Sequence, residues 1–281
     1  MRKATKIWLI IAASLVVVGL GVIATAILEY NGNSIMLSTG QYVSNNHEIG
    51  DKFSNVSVNT DIADIVFAVS NDDKCRVECF EEVKAKHSVA IKDDTLDIKI
   101  VNEKAWYDYI GINFGSPKLT IYLPKGEYDS VLVRGSTGDI CVENMFVRNI
   151  DISVSTGKIT ASNVICEEVA KINVSTGKTS LSNIRCQKLI STGSTGDIKL
   201  KNVMADELFN IKRSTGNIEF DSSDAAEIFV ETDTGDVEGS LLTNKMFITQ
   251  TDTGDIDVPQ TINGGRCEIR TDTGDIKINI N

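Results

Sequence analysis

From Ser136 onward, apolar residues keep fixed places around a repeated polar phrase. The phrase is Ser136-Thr137-Gly138-Asp139-Ile140, and it returns at Ser155, Ser175, Ser194 and Ser214. With Asp at its head it returns at Asp233, Asp252 and Asp272. Take the head of each phrase as position zero. Apolar side chains then recur at positions four and six: Ile140 and Val142, Ile159 and Ala161, Ile198 and Leu200, Ile218 and Phe220, Ile256 and Val258. They recur five and three residues before the next phrase: Ile150 and Ile152, Phe209 and Ile211, Ile228 and Val230, Cys267 and Ile269. Such alternation is the period of a half-buried strand. The phrase glycines (138, 157, 177, 196, 216, 235, 254, 274) are 19 or 20 residues apart. A fixed period without a helical pattern predicts a β-solenoid. Each repeat reads as two short strands and two turns. One turn lies at Thr-Gly, the other around Asn144, Asn163, Asn183 and Asn202.

A single rung cannot bury its own apolar face. Stacking rungs at ~4.8 Å turns equivalent positions into ladders around a continuous core. The glycines are expected at positive φ, where a Cβ would clash. Stacked Thr hydroxyls can bond between rungs. The Asn column has the composition of an internal amide ladder, and ordinary turn preference accounts for it equally well.

Residues 50–135 are less regular. Val56–Val58, Ile65–Val69, Leu96–Ile100 and Leu119–Leu123 are strand candidates, and Asn71-Asp72-Asp73 and Lys92-Asp93-Asp94 read as hairpin turns. The segment is expected to cap the first rung. Its aromatic cluster, Trp106, Tyr107, Tyr109 and Phe114, reads as cap packing ahead of a ligand patch. Polar residues 30–49 read as a linker. At the other end the strand Ile276–Ile280 closes the sequence. An uncovered edge there would recruit another strand, so self-association or partner docking through the C-terminal rung is expected.

Ile7–Leu28 has no charged residue, and Arg2, Lys3 and Lys6 precede it. At ~1.5 Å per residue such a helix would cross a hydrocarbon core of ~30 Å. The basic residues set the N-terminus inside and the body outside. A cleaved signal peptide ending near Ala24-Thr25-Ala26 is the competing reading. The expected layout is therefore 1–29 as cytoplasmic stub and transmembrane anchor, 30–49 linker, 50–135 β-rich cap and 136–281 solenoid. In fold class it is all-β, with 19–20-residue rungs, a strand-rich N-terminal cap and one transmembrane helix before it.

The formal net charge of −11 comes from 28 basic and 39 acidic residues. An acidic chain argues against nucleic acid as a partner. Of the six cysteines, Cys166 and Cys186 stand at one phase of neighbouring rungs, within bridging range but in poor parallel-strand geometry. Buried free thiols are the favoured reading. Cys75 and Cys79, at i and i+4 of one strand, are too far apart to bridge, and no convergent metal set is visible.

Asp-Thr-Gly at Asp233, Asp252 and Asp272 is also the phrase of aspartic proteases. Those need two carboxylates sharing a proton across a two-fold cleft, whereas here the period explains the phrase. The last three copies stack Asp233, Asp252 and Asp272 in one column and Asp236, Asp255 and Asp275 in another. Calcium at these six carboxylates is a candidate, since like charges at strand spacing repel and oxygen ligands suit a hard cation. A solvated acidic edge without a bound ion is the alternative. Lys158 and Lys178 interrupt the second column earlier on. Carbohydrate cleavage by carboxylates on one flank lacks an evident constellation, and His47 and His87 lie outside the repeats with no nucleophile motif.

The Ser/Asp-Thr-Gly-Asp-Ile repeat, the segment Lys118–Pro124 and the apolar N-terminus together resemble the putative-adhesin β-strand-repeat family of bacterial envelope proteins, a domain of unknown function. The resemblance covers about residues 50–281. It implies a β-solenoid on the outer face of a bacterial membrane and carries over no catalytic residues. The resulting expectation is a non-catalytic, membrane-anchored, extracytoplasmic surface protein that binds a protein or glycan partner. An accessory to envelope signalling or stress response is the second reading, and a carbohydrate-active enzyme the third.

Overall fold

The computed structural model describes residues 6, 8, 11–21, 41–106 and 115–281. The chain divides into two units, Met1–Gly40 with Ala105–Gly115, and Gln41–Lys104 with Ser116–Asn281. In the first, residues 11–21 are helical and exposed throughout. Eleven residues at ~1.5 Å each cover about half of a ~30 Å hydrocarbon core. No described helix is long and apolar enough to cross a membrane. Apart from Trp8, which is also helical and exposed, the remainder of the expected span, and Tyr107, Tyr109 and Phe114, lie outside the described residues. Trp106 is exposed, at 77%.

The second unit is built from strands. They are β1 (Tyr42–Ile49), β2 (Asn55–Ile62), β3 (Asp64–Val69), β4 (Cys75–Glu82), β5 (Ala85–Lys92), β6 (Thr95–Asn102), β7 (Lys118–Leu123), β8 (Glu127–Thr137), β9 (Ile140–Thr156) and β10 (Ile159–Cys166). There follow β11 (Val169–Thr176), β12 (Thr179–Thr195), β13 (Ile198–Thr215), β14 (Ile218–Asp221), β15 (Asp224–Thr234), β16 (Val237–Leu241), β17 (Lys245–Thr253), β18 (Ile256–Asp257), β19 (Gly265–Thr273) and β20 (Ile276–Ile280). From β8 onward the ladders are parallel, in register apart from shifts between Cys186 and Lys188 and between Ala205 and Leu208. The phrase threonines pair in series: Thr137 with Thr156, Thr156 with Thr176, Thr176 with Thr195, Thr195 with Thr215, and Thr215 with Thr234. Inward positions are sealed, with Ile140, Ile159, Ile198, Ile218, Val237 and Ile276 no more than 1% exposed. The stacked-coil expectation holds.

Two corners turn each rung. At the first, the phrase glycines take φ between 130° and 151°. A Cβ on Gly157 would lie 2.1 Å from the Gly138 carbonyl oxygen, so only glycine lets successive backbones approach. At the second, Asn144, Asn163, Asn183 and Asn202 sit at φ 52–53°, the left-handed region that Asn tolerates best after Gly. Their side chains form a ladder in which each Nδ2 donates to the Oδ1 of the preceding Asn, at 3.1, 3.0 and 3.2 Å. The ladder runs along an exposed corner, not inside the coil as expected, because a left-handed residue at an outer bend points its side chain to solvent. The inter-rung hydroxyl bonds also come from another column than expected. Thr232, Thr271 and Thr251, one residue before each Asp-headed phrase, donate to the carbonyls of Gly216, Gly235 and Gly274.

The segment read as a cap contains a further rung. β2 and β3 pair in parallel with β8 and β9, matching Ile62 to Thr137 and Ile65 to Ile140. Ala63 takes the glycine place, and its N–H donates to Thr137 O. Outside this rung lies the β6–β7 level, parallel to β2 and β3. Antiparallel strands finish the end: β5 on β6, β4 on β7 and β1 on β4. Thus Lys92–Asp94 makes a hairpin, whereas the turn at Asn71–Asp73 joins β3 to β4 with β7 between them. The expected linker is also shorter than residues 30–49. Residues 42–49 of it are β1, whose half-buried face carries Asn45 and His47, and these polar residues disguised a strand.

At the C-terminal end, spatial order departs from chain order. β19 lies between β15 and β17, matching Thr273 to both Thr234 and Thr253. β20 likewise lies between β16 and β18. The rung at Asp272 is therefore interior, and the rung at Asp252 is outermost. The uncovered edge expected at Ile276–Ile280 belongs instead to β17 and β18. A buried ion pair fixes this crossing. Lys245 Nζ lies 2.6 Å from Asp224 Oδ1, with both side chains 3% exposed. Asp224 Oδ2 accepts from Leu242 N and Thr243 Oγ1.

Candidate functional site

The Thr-Gly corner gathers the residues singled out for calcium. In spatial order the second column runs Asp64, Asp139, Lys158, Lys178, Asp197, Asn217, Asp236, Asp275, Asp255. Its side chains serve the backbone. Asp64 Oδ1 accepts from Asp139 N, Asp139 from Lys158 N, Asp197 from Asn217 N, Asn217 from Asp236 N, Asp236 from Asp275 N and Asp275 from Asp255 N, at 2.8–3.2 Å. The Asp255 N–H and Lys277, whose Nζ lies 2.6 Å away, hold the Asp275 carboxyl below its usual range. Asp197 is lowered first by Lys178, at 3.0 Å, and then by the Asn217 N–H. Asp233, Asp252 and Asp272 form the outer, exposed column, with Asp272 in the middle. These three stack along one corner and do not face one another across a cleft. None of the six aspartates belongs to a group of three ligating side chains with converging atoms among the described residues.

The open end of the coil shows what stacking hides elsewhere. In each interior rung the phrase glycine N–H donates to the threonine carbonyl of the next rung, as Gly235 does to Thr273 and Gly274 to Thr253. The residue two places on donates likewise, as Val237 does to Asp275 and Ile276 to Asp255. For Gly254 and Ile256 no rung follows among the described residues, where β17 and β18 pair with β19 and β20 alone. The Asp255 carboxylate likewise has no following N–H. Ile256 holds a core position yet is 46% exposed.

A second cluster is sealed. Thr60, His87 and Glu81 are 2%, 5% and 1% exposed. His87 Nε2 lies 2.9 Å from Thr60 Oγ1, and His87 Nδ1 lies 2.8 Å from Glu81 Oε2. The His87 backbone N–H and Asn45 Nδ2 also donate to Glu81, at 2.6 Å each. Hydroxyl, imidazole and carboxylate in that order resemble a hydrolase relay. Burial of all three denies a substrate access to the hydroxyl, so the relay ties β1, β2, β4 and β5 together. Cys79 adjoins it, and Cys79, Glu81 and His87 place ligand atoms within 4.8 Å of one another. Burial and the neighbouring Glu81 push the Cys79 thiol up to about 12, and Glu81 and His87 are already engaged in hydrogen bonds. Sequence reading missed this cluster. Its signal was the alternation Cys75, Val77, Cys79, Glu81, which carries a carboxylate onto the buried face.

Mid-coil, Arg213 is 4% exposed. Burial lowers its pKa to about 10. It donates to Lys212 O, Thr179 Oγ1 and Ser191 Oγ. Thr179 and Ser191 stand where neighbouring rungs carry aliphatics, and Gly193 leaves room for the guanidinium. The six cysteines are free, five of them buried. Burial pushes Cys166 up to about 11 and Cys186 and Cys267 up to about 12, so these thiols are poor nucleophiles.

The family profile that matches is Toastrack DUF4097, over residues 53–189 and 170–281. No curated protein matches the chain. Among solved structures, a protein described as a "putative lipid binding protein" from Parabacteroides distasonis aligns with a TM-score of 0.50 at 14% identity, covering 85% of this chain and 98% of that one. A "putative adhesin" from Bacteroides fragilis aligns at 0.46 and 13% identity, covering 85% and 97%. A "putative adhesin" from the same Parabacteroides strain aligns at 0.40 and 11%, covering 85% and 98%. At these identities the likeness bears on fold alone.

Proposed function

The chain belongs to the Toastrack DUF4097 family, and from that premise we propose that it is a non-catalytic surface-binding module. In this reading it is held outside the cytoplasm by an apolar anchor over residues 7–28, and it offers its flanks to a protein or glycan. One observation carries the reading most directly. In-register parallel stacking turns outward positions into continuous rows, such as Cys141, Thr160, Ser180, Lys199, Glu219 and Glu238. Side chains in such a row are spaced ~4.8 Å apart, which suits an extended, repetitive partner surface. The chemically suggestive groups elsewhere, Thr60–His87–Glu81 and the cysteines, are mostly sealed.

The test is display of the full chain on cells, followed by binding to glycan and protein arrays. Retention should fall when Thr160, Ser180 and Lys199 are replaced together by Glu. Retention unchanged by that variant would reject the flank as the binding surface. Protease treatment of intact cells should remove residues after 41 and spare the N-terminus if the anchor reading holds. Calcium at Asp233, Asp236, Asp252, Asp255, Asp272 and Asp275 is a separate proposal. It requires that millimolar Ca²⁺ raise the melting temperature more than NaCl of equal ionic strength.

A further inference from the structure

The coil's two ends differ in a way that identifies a docking edge. The N-terminal end is finished by antiparallel β5, β4 and β1. Among the described residues, the C-terminal end stops on a bare parallel rung, β17 and β18. Four features converge there. The N–H groups of Gly254 and Ile256 point along the stacking direction with no following rung. The Asp255 carboxylate, by position, is the next acceptor in a ladder whose every interior aspartate serves a backbone N–H, from Asp64 through Asp275. Core positions lie uncovered, with Ile256 46% exposed and Phe247 and Val258 only half-buried. The rung also carries Asp252, Asp255 and Asp257, stacked beyond Asp236 and Asp275.

From these features we infer that the β17–β18 edge accepts an extended strand of a partner protein, added in parallel register, with a lysine or arginine crossing the Asp255 column. It would supply carbonyls to Gly254 and Ile256 and an N–H to Asp255. Its alternate apolar side chains would cover Phe247, Ile256 and Val258. The fold contains its own precedent. Lys158 follows Asp139 in the same column, and its N–H donates to Asp139 Oδ1 at 2.8 Å. Strand addition draws affinity from main-chain bonds and specificity from alternate side chains. A second copy of this chain fits less well, because its opposite end is closed by antiparallel strands and its open end carries the same acids. The inference rests on the surface-binding reading, but it concerns the end of the coil and not its flank.

The probe is a labelled peptide with the sequence of Ile150–Ala161, which holds Lys158 at the corner place and Ile152, Val154 and Ile159 on the inward face. Fluorescence anisotropy against the full chain should show binding at least about tenfold tighter than for the same peptide carrying Lys158→Asp. In full-length Asp255→Lys the order of the two peptides should reverse. The Asp255 N–H that bonds Asp275 is a backbone group, so that variant keeps the ladder. Ile256→Pro, which removes an N–H unused inside the coil, should abolish binding of both. No binding at ~1 mM peptide overturns the inference, as does equal binding of the two peptides or binding indifferent to both variants. Sedimentation showing a dimer that the peptide cannot displace would overturn it in favour of self-association. Each of these failures leaves the flank reading standing, since array binding tests residues far from this edge.

Discussion

The two ends of the coil are built by the same manoeuvre and finished differently. At the N-terminal end β2–β3 is inserted between β6–β7 and β8–β9, ahead of its turn in the chain. At the C-terminal end β19–β20 is inserted between β15–β16 and β17–β18, after its turn. The N-terminal end adds antiparallel strands and an Asn45–Glu81–His87–Thr60 network, whereas among the described residues nothing lies beyond the outermost rung of the C-terminal end. A parallel ladder can always take one more rung, so termination needs a change of strand direction or a dedicated cap. Among the described residues, only the N-terminal end has one.

The largest effect expected from this contrast concerns the corner glycines. Gly138→Ala puts a Cβ about 2.1 Å from the Ala63 carbonyl oxygen, between two rungs that are both packed from outside. The loss should be about 3 kcal/mol or more in urea unfolding. Gly254→Ala meets the Gly274 oxygen at the same 2.1 Å, but the outermost rung can move away, so its loss should be less than half as large. Equal losses would mean that the C-terminal rung is as firmly held as the interior.

Next in size is the buried network. Glu81→Ala leaves the His87 N–H, the His87 ring and the Asn45 amide without their acceptor, and should cost about 3 kcal/mol. Ile256→Ala, at a core position that is half exposed, should cost about 1 kcal/mol or less. Hydrogen exchange should rank the ends in the same way. Amides of β17 and β18 should exchange by local fraying, and those of β2 should wait for global unfolding.

Much of this was legible in the sequence. Ile140, Ile159, Ile198 and their equivalents announce the rungs because a two-residue period and a 19–20-residue period coincide. The phrase glycines are legible because only one residue type fits a φ near 140°. Rung order is not legible, since Asp252 and Asp272 carry the same phrase and no local signal says which lies outside. The order depends on Lys245 meeting Asp224, a contact between residues 21 positions apart. The rung at Ala63 escaped because alanine replaces the diagnostic glycine. β1 escaped because Asn45, which donates to the buried Glu81 carboxylate, and His47 interrupt the apolar stripe between Val43 and Ile49.

The smallest expected effect is on acid stability. At the N-terminal end, the Ser70 hydroxyl and then Arg76 hold Asp72 down at about 2. At the C-terminal end, Asp275 is lowered by the Asp255 N–H and Lys277. A carboxyl whose folded pKa is depressed contributes stability above its unfolded value near 4, and that contribution is lost as pH falls through its folded value, about 2 for Asp72. Asp72→Asn should flatten the stability–pH slope between about pH 4 and 2, slightly, since the group is exposed. An unchanged slope would mean that the Ser70–Asp72–Arg76 contacts do not persist in solution.

The out-of-order C-terminal rung underlies both the open edge and its contrast with the closed end, and paired cysteines test it most directly. Parallel neighbours lie ~4.8 Å apart, inside the Cα range of a disulfide, while rungs two steps apart lie beyond it. Under mild oxidation the full chain carrying Thr234→Cys and Thr273→Cys should form that bridge in peptide maps, and the chain carrying Thr234→Cys and Thr253→Cys should not. A bridge between 234 and 253 with none between 234 and 273 would show a coil wound in sequence order and would contradict the account.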